Sequence, residues 1–302
     1  ERITSSGSYE AGRLMAQDLK RDAPGVNVIL FHPSGLSVFP EGAVRGIESI
    51  LGPDVPVVGG LSTDNLKLVS DYQFLDDRTF EQGAVAVGLA DPTIEVVTGV
   101  NHGFPVVGDP LVVTRSRGGR IFELNGQPAW TAWMSALGLG PGAAPVELVA
   151  SPLVRELPEE LWEEYDSPYI HVLYAGAFDS IAADGSIHAS NDCPEGTRLW
   201  LTRRDERRIF EGTDRMVRRT VERCQGKDIA AVFQADCNGR GRMLFNRVLK
   251  EELESRIQRP LCADGGAPWL GMYGGGELAP LGGTNAIHAF TTALYVLLRR
   301  AA

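Results

Sequence analysis

The chain has 302 residues, of which 43% are hydrophobic and 23% charged, proportions typical of a soluble globular protein with room for two hydrophobic cores. A formal net charge of -10 argues against nucleic acid and against membrane surfaces as partners, because both present negative phosphate groups. The sequence shows no apolar run long enough to span a membrane and no signal pattern, and its four cysteines lack metal or disulfide spacing, so we expect a cytoplasmic protein with free thiols.

The first half begins with alternating helix and strand patterns. Residues 9–20 form an amphipathic helical pattern, and residues 26–31 are a continuous apolar run, typical of a strand that helices cover on both faces. A loop containing His32, a helix at 41–51 and a short strand ending at Gly59 and Gly60 follow. This order predicts one α/β layer.

The middle of the chain is rich in strand patterns. Residues 83–89 and 94–100 indicate adjacent strands joined by a turn at Asp91, and residues 110–114 and 120–124 indicate a hairpin. Residues 127–137 then predict a helix that carries Trp130 and Trp133. The glycine- and proline-rich residues 138–145 predict a linker between two domains.

The second half repeats the order of the first. After a strand at 197–202 and a charged turn at 203–208 come a helix at 213–225, a strand at 229–233, a loop at 236–239, a helix at 243–257 and a strand at 268–271. The repeat lies about 210 residues after its counterpart, too far for a solenoid. We therefore predict an α/β (α+β) fold of two related, pseudo-duplicated lobes, at 1–140 and 146–302, each a mixed sheet covered by helices.

Ionisable side chains follow the predicted strand at 229–233. Asp236, Cys237 and Arg240 lie before the next helix, and ligands of open α/β sheets bind at this end of the strands. Arg240 is thus a candidate partner for a ligand carboxylate or phosphate. The same position would lower the pKa of Cys237 and make it a nucleophile or a metal ligand, and the alternative is a buried thiol beside a turn.

Three consecutive glycines at 274–276 lead into Glu277. They would let a ligand or another backbone approach closely, with Glu277 accepting a hydrogen bond from an amine, or they form a tight packing turn. Asn285 and His288 would share one face if 284–298 is a helix, and an edge strand is the alternative. His288 is a candidate haem or metal ligand, or a hydrogen-bonded structural residue. No nucleotide-binding, nucleophile-elbow or zinc-protease motif occurs, so no catalytic residue is assigned.

These motifs, in this order, resemble those of the FIST sensory proteins, in which a FIST N domain precedes a FIST C domain. The first half matches at 28–31, at Pro56-Val-Val-Gly-Gly-Leu-Ser-Thr63, at 108–114 and at 121–128, and the second half matches at 236–240, 271–280 and 285–288. The candidate ligand-binding residues are Gly59, Gly60, Ser62, Asp236, Cys237, Asn238, Arg240, Tyr273, Gly274, Glu277 and Asn285, with His288 as a metal ligand only if haem is bound.

The resemblance implies a sensory domain for a small ligand. An amino-acid-like molecule or other small anion would lie between the lobes, with its carboxylate near Arg240 and its amine near Glu277. Since no kinase, cyclase or methyl-accepting segment is present in the 302 residues, the output would pass through a signalling partner such as a histidine kinase. The alternatives are a haem-binding nitric oxide sensor that uses His288 or Cys237 and, more weakly supported, an enzyme that uses Cys237 as its nucleophile.

Overall fold

A computed structural model describes residues 5–64, 67, 69–140, 151–172, 184–190, 193–241, 248–262 and 266–300. The fold is mixed α/β, as predicted, with several sheets that helices cover. The predicted linker from residue 141 onwards and the start of the helix predicted at 243–257 lie outside the described residues. None of the described helices has both the length and the apolar composition needed to cross a bilayer.

Residues 5–140 fold into helices and strands in close agreement with the predicted order. The helices are α1 (Ser5–Asp22), α2 (Pro40–Leu51) and α3 (Ala129–Ala136). The strands are β1 (Val28–Pro33), β2 (Val57–Gly60), β3 (Tyr72–Leu75), β4 (Arg78–Glu81), β5 (Ala84–Leu89), β6 (Ile94–Asn101), β7 (Val106–Arg117), β8 (Arg120–Leu124) and β9 (Gln127–Pro128).

The remaining elements lie between residues 151 and 300. The strands are β10 (Leu153–Glu156), β11 (Tyr169–His171), β12 (Ile187–His188), β13 (Arg198–Thr202), β14 (Asp228–Cys237), β15 (Trp269–Gly274), β16 (Glu277–Leu281), β17 (Thr284–His288) and β18 (Thr292–Arg299). The helices are α4 (Trp162–Tyr165), α5 (Glu206–Cys224), a π-helix (Val248–Gln258) and α6 (Arg259–Cys262), with a 3-10 turn at Glu159–Leu161.

Every larger sheet combines strands from before and after residue 140. The first sheet has the order β17-β16-β2-β1-β5, the second β15-β14-β18-β6, and the third β11-β10-β13-β7-β8-β12, with β9 beside β8. In the first sheet β1 and β2 are parallel, and in the second β14 and β15 are parallel. The two predicted lobes therefore share their hydrogen-bonded sheets, and their boundaries and pseudo-duplication remain predictions.

The first and second sheets pack face to face. Side chains alternate between the two faces of a strand, so Leu30 of β1 and Val58 of β2 point inwards, where they meet Ala235 of β14 and Tyr295 of β18. The outer face of the first sheet packs on α1 and α2, and that of the second packs on α5 and α6. The result is a four-layered arrangement of helices, sheet, sheet and helices.

Several predicted elements need correction. Residues 83–89 and 94–100 are not paired with each other, because β5 pairs with β1 whereas β6 pairs with β18 in the second sheet. The chain crosses between the sheets at a turn held by Asn27, whose side-chain amide donates to the carbonyl oxygens of Asp91 and Ile94. Helix α5 begins at Glu206 with Asp205 as its N-cap, so part of the charged run predicted as a turn is helical.

The run at 284–298 is neither a helix nor one edge strand. It forms β17 and β18, which are separated by a turn where Phe290 takes a φ of 56°. Strand β18 lies inside the second sheet, between β14 and β6. Because neighbouring side chains on a strand alternate, Asn285 and His288 lie on opposite faces of β17.

Candidate functional site

An open pocket lies between the two facing sheets, near the carboxyl ends of β1, β2 and β14. Its volume is about 360 Å³, at the lower end of the range for small-molecule sites. Parallel strands of both sheets end there, which is the usual position for a ligand in an α/β sheet. The pocket is lined by Leu30, His32, Gly59, Ser62, Tyr72, Gln73, Phe74, Val85, Phe233, Gln234, Ala235, Leu270, Gly271, Met272 and Tyr295.

One end of the open pocket is polar. The Ser62 hydroxyl donates to Asp71 Oδ2 at 2.8 Å and accepts from Gln73 Nε2 at 2.6 Å. Asp71 also accepts from the Ser34 hydroxyl at 2.8 Å and from the Gly35 backbone N–H at 2.9 Å. These bonds fix the start of β3 to the loops that follow β1 and β2, so the polar end is held in place.

His32 lies at the same end. It is the fifth residue of β1 and not part of the following loop, and its Nδ1 is 3.4 Å from the carbonyl oxygen of Gly60. Burial lowers the pKa of the imidazole, although the bond to Gly60 acts in the opposite direction. A neutral imidazole that donates from Nδ1 keeps Nε2 as a hydrogen-bond acceptor.

The hairpin of β3 and β4 covers the open pocket. Tyr72 and Phe74 contribute to the lining, yet Phe74 remains 69% exposed. Large apolar side chains that line a pocket and still face water gain burial if a ligand fills the space. The hairpin is therefore the part of the lining with the most surface left to bury.

A buried charge cluster lies on the other side of β14. It consists of Asp236, Arg240, Glu252 and Thr213. Because side chains alternate along a strand, Asp236 faces away from the open pocket, which the neighbouring Ala235 lines. Arg240 is fully buried and donates to both oxygens of Glu252, at 2.6 and 3.2 Å, and to the Thr213 hydroxyl at 2.8 Å. Its Nη1 is 3.6 Å from Asp236 Oδ1. The guanidinium predicted to bind a ligand anion is thus occupied by internal carboxylates.

The two carboxylates around Arg240 are not equivalent. Burial, opposed by Arg240 and reinforced by the neighbouring Glu252, raises the pKa of Asp236 to about 7. Arg204 contributes a second cation, since its guanidinium donates to the backbone carbonyls of Gly239 and Arg240. The loop after β14 is therefore held by charges from two other segments.

Glu277 and Cys237 lie close to this cluster. Glu277 is fully buried, and its Oε2 accepts from the Thr291 hydroxyl at 2.5 Å. Burial raises the pKa of Glu277 well above its usual value. Burial, followed by the charge of Glu277, also raises the pKa of the Cys237 thiol well above its usual value. Of the two alternatives for Cys237, the buried thiol agrees with the structure and the lowered pKa does not, so the reactive thiolate form is disfavoured.

Three histidines lie in one buried aromatic group. The His102 and His171 rings are 4.8 Å apart, and His288 stacks on Tyr165 at 5.5 Å. Both ring nitrogens of His171 lack hydrogen-bond partners within the described residues. Burial lowers the pKa of His102 to about 3 and that of His288 to about 4, and it lowers the pKa of His171 well below its usual value.

His288 does not fit the role of a haem ligand. Its Nε2 is 3.1 Å from the carbonyl oxygen of Ala279, its ring packs on Tyr165, and it lines neither of the two cavities described for this chain. A haem needs open space beside the coordinating nitrogen. His288 is instead fully buried, with its ring stacked on Tyr165.

The buried histidines and acids make stability depend on pH. A lowered histidine pKa gives a contribution that is complete above the unfolded value of about 6.5 and is lost as the pH falls through the folded value. The raised pKa values of Asp236 and Glu277 act oppositely, because their contributions are complete at low pH and lost as the pH rises. Four histidines have a lowered pKa, namely His32, His102, His171 and His288, against two acids with a raised pKa, so the unfolding free energy should fall as the pH drops from about 6.5 towards about 4.5.

His171→Phe tests this pH dependence. Phe104 and Phe290 already contact the ring, so phenylalanine suits the position. Removing one histidine should make the fall of the unfolding free energy between about pH 6.5 and 4.5 less steep. Urea unfolding at several pH values measures both slopes. Equal slopes for the variant and the parent chain would contradict the assignment of a neutral, buried His171.

The predicted site residues separate into groups. Asp236 and Cys237 are the last residues of β14, beside Gly274 of β15, and Asn238 donates its backbone N–H to the Gly274 carbonyl. These residues lie near Arg240 and Glu277, so the second-half motifs do meet. Gly59 and Ser62 line the open pocket instead, and Gly60 lies beside it, where an added Cβ would be 3.1 Å from the Ala235 Cβ.

Asn285 lies outside both groups, whereas Tyr273 pairs with Asp236 across β15 and β14. Tyr273 is 40% exposed on the edge strand β15. The Asn285 amide donates to Glu48 and to the carbonyl of Val55, and its oxygen accepts from the Val57 backbone N–H. Asn285 thus fastens β17 to β2 and α2. It also lines a second cavity, of about 310 Å³, among charged side chains.

Sequence reasoning missed several residues that shape these sites. Asp71 and Gln73 hold the polar end of the open pocket, and Glu252 and Thr213 enclose Arg240. The paired aspartates at 76 and 77, between two short apolar-aromatic segments, are a turn signal that would have indicated the hairpin. The partners of Arg240 leave no comparable local signal.

Comparison with known proteins identifies matches along most of the chain. A sequence model of the FIST N domain matches residues 1–127, and one of the FIST C domain matches residues 164–280. An uncharacterized protein of Mycobacterium bovis and one of Mycobacterium tuberculosis are each 28% identical over 246 residues, which is 80% of this chain and 60% of the relative. Another M. tuberculosis protein is 27% identical over 245 residues. The chain thus spans about 60% of the length of these relatives.

Proposed function

The chain belongs to the FIST family, with an N domain followed by a C domain, and from this premise we propose that it binds a small molecule in the open pocket. FIST domains are sensory, small-ligand-binding signal transduction domains. The proposal adds where the ligand binds and which part of the structure transmits the signal to a partner. A cytoplasmic location and a signalling partner, such as a histidine kinase, are parts of the same proposal.

The observation that carries the proposal is the open pocket itself. It has apolar walls, a polar end at His32, Ser62 and Gln73, and a volume of about 360 Å³. Its walls come from both matched regions of the chain, because β1, β2 and β5 face β14 and β15. A ligand in this position would contact both sheets at once.

The buried charge cluster is less suited to receive a ligand. Arg240 and Glu277, predicted to bind a carboxylate and an amine, are fully buried and bonded to Glu252 and Thr291. A ligand would have to displace these partners, and separating a buried ion pair costs several kcal/mol, about 3–5. We therefore propose the open pocket as the ligand site, with the charge cluster stabilising the strand behind it.

The hairpin of β3 and β4 is the proposed output element. Asp71 and Gln73 tie its base to Ser62, which lines the open pocket, while Phe74 remains exposed over the opening. A ligand that buries Phe74 would draw the hairpin towards the pocket. A partner that contacts the outer surface of the hairpin would then distinguish the two states.

Val85→Trp tests the location of the ligand site. Val85 lies on the edge strand β5, and a larger side chain there would fill the open pocket without entering a closed core. We expect at least about tenfold weaker binding of any small-molecule ligand that a thermal-shift screen identifies for the parent chain.

Val87→Trp is the matched control. Val87 lies on the same strand, is 52% exposed and does not line the pocket. Ligands should bind this variant with the affinity of the parent chain, as calorimetric titration measures. Undiminished binding to the Val85→Trp variant would place the ligand elsewhere.

A further inference from the structure

Among the residues that the structure describes, the walls of the open pocket carry no full charge at neutral pH. None of the 15 residues that line it is aspartate, glutamate, lysine or arginine. His32 is neutral there because burial lowers its pKa. Tyr72 and Tyr295 contribute phenols, and the Tyr295 hydroxyl donates to the Gly59 carbonyl. A charged ligand would find no counter-ion among these side chains.

Charges near the pocket do not change this conclusion. Asp71 lies behind Ser62, where two hydroxyls and one backbone N–H already bind its oxygens, and its negative charge would repel an anion. Arg240 is on the far side of β14 and is paired with Glu252. Removing an ion from water without a partner costs far more than burying an uncharged polar group that is hydrogen-bonded.

The polar end still has capacity for hydrogen bonds. Gln73 uses one N–H for Ser62 and accepts one bond at its oxygen from the Gly83 backbone N–H. Its second N–H remains a donor, and the Nε2 of His32 is an acceptor when Nδ1 donates to Gly60. A group with both a donor and an acceptor, such as an amide, would satisfy the two together.

The opposite walls favour an apolar body. Leu30, Phe233 and Met272 enclose the space between the sheets, and Phe74 and Leu270 lie at its edge. Apolar ligand surface gains about 25 cal/mol for each Å² that these walls remove from water. The volume suits a molecule with one ring or a short branched chain.

We propose that the open pocket binds an uncharged, mainly apolar small molecule that carries an amide- or hydroxyl-type group at one end. This inference rests on the proposed function and specifies the ligand class for the same site. It differs from the amino-acid-like anion expected from the sequence. A zwitterion would leave two charges without partners between the sheets.

The test compares ligands that share a ring and differ in charge. Benzamide, benzoate and benzamidinium, together with cyclohexanecarboxamide and cyclohexanecarboxylate, are titrated into the full chain at millimolar concentration and followed by protein-observed NMR. We expect the amides to bind at least about tenfold more tightly than the carboxylates and the amidinium. Filling the space with Val85→Trp should weaken all of them.

A gain of specificity provides the complementary measurement. Val85→Lys places an ammonium group at the wall and should turn the preference from benzamide to benzoate. Leu270→Lys serves as a second variant, since Leu270 is 65% exposed and lines the pocket, so a lysine there is compatible with folding. An unchanged preference in both variants would contradict the inference.

The outcomes separate the ligand class from the site. Tighter binding of benzoate or benzamidinium to the parent chain, lost in the Val85→Trp variant, would overturn the ligand class and leave the proposed site intact. Absence of binding by every probe, or binding that Val85→Trp leaves unchanged, would overturn the open pocket as the ligand site and with it the proposed function.

Discussion

Replacing Glu252 with Gln is expected to lower the free energy of unfolding by about 3 kcal/mol. Arg240 is completely buried, and both of its strong ionic contacts, at 2.6 and 3.2 Å, are to the oxygens of Glu252. Glutamine keeps the shape and one acceptor but removes the charge. Among the described residues, Asp236, at 3.6 Å, is then the remaining carboxylate within ion-pair distance of the guanidinium, and an undercompensated buried charge is costly.

Urea unfolding at pH 7 measures this loss, with Glu211→Gln as the control. Glu211 pairs with Arg207 on the exposed surface of α5, at 3.6 Å, and its loss should change the unfolding free energy by less than about 0.5 kcal/mol. The Glu252→Gln variant should also lower the pKa of Asp236, because Glu252 raises that pKa in the parent chain. A Glu252→Gln variant as stable as the control would show that water reaches Arg240.

Gly59→Ala should destabilise the chain by about 3–5 kcal/mol, through strain and overpacking combined. Gly59 has a φ of 144°, which side chains rarely allow, and an added Cβ would lie 2.1 Å from the carbonyl oxygen of Phe31 on the neighbouring strand. Strands β1 and β2 would have to separate at their pairing of Phe31 with Gly59. The Tyr295 hydroxyl bond to the Gly59 carbonyl would be disturbed as well.

Gly108→Ala measures the cost of the backbone strain alone, without a steric clash. Gly108 also has a positive φ, of 68°, but an added Cβ would meet no atom within 4 Å. Its substitution should cost only the conformational strain, about 1 kcal/mol. Thermal unfolding of both variants measures the difference. Equal losses would mean that the strand contact at Gly59 relaxes without cost.

The helices and buried strands around the parallel pairs β1–β2 and β14–β15 were predictable from the sequence, because the signals for them are local. Apolar runs such as 28–31 and amphipathic repeats such as 41–51 depend only on neighbouring residues. Pairing between distant strands leaves no such signal. Nothing within residues 94–101 specifies that β6 pairs with β18 instead of with β5.

For the candidate site, too, the sequence indicated the important residues but not their contacts. The charge of Arg240 and the glycine at 59 are visible in the sequence, but what they contact is not. Arg240 forms an ion pair with Glu252. Gly59 lacks a side chain, which allows its strand to lie close to the Phe31 carbonyl. The hydrogen bonds from the Ser34 and Ser62 hydroxyls to Asp71 connect three segments that are separate in the sequence, and they form only when the chain folds.

The sharing of sheets by both halves also has a consequence for how the chain is made on the ribosome. Asn101 at the end of β6 pairs with Thr292 of β18, and Gly60 pairs with Glu277 of β16. Neither sheet can therefore close until the residues up to β16 and β18 have been synthesised. Closing such long loops is entropically slow, and open strand edges attract other chains meanwhile. We therefore expect the strands of the first half to remain unpaired at these edges until the second half has emerged from the ribosome.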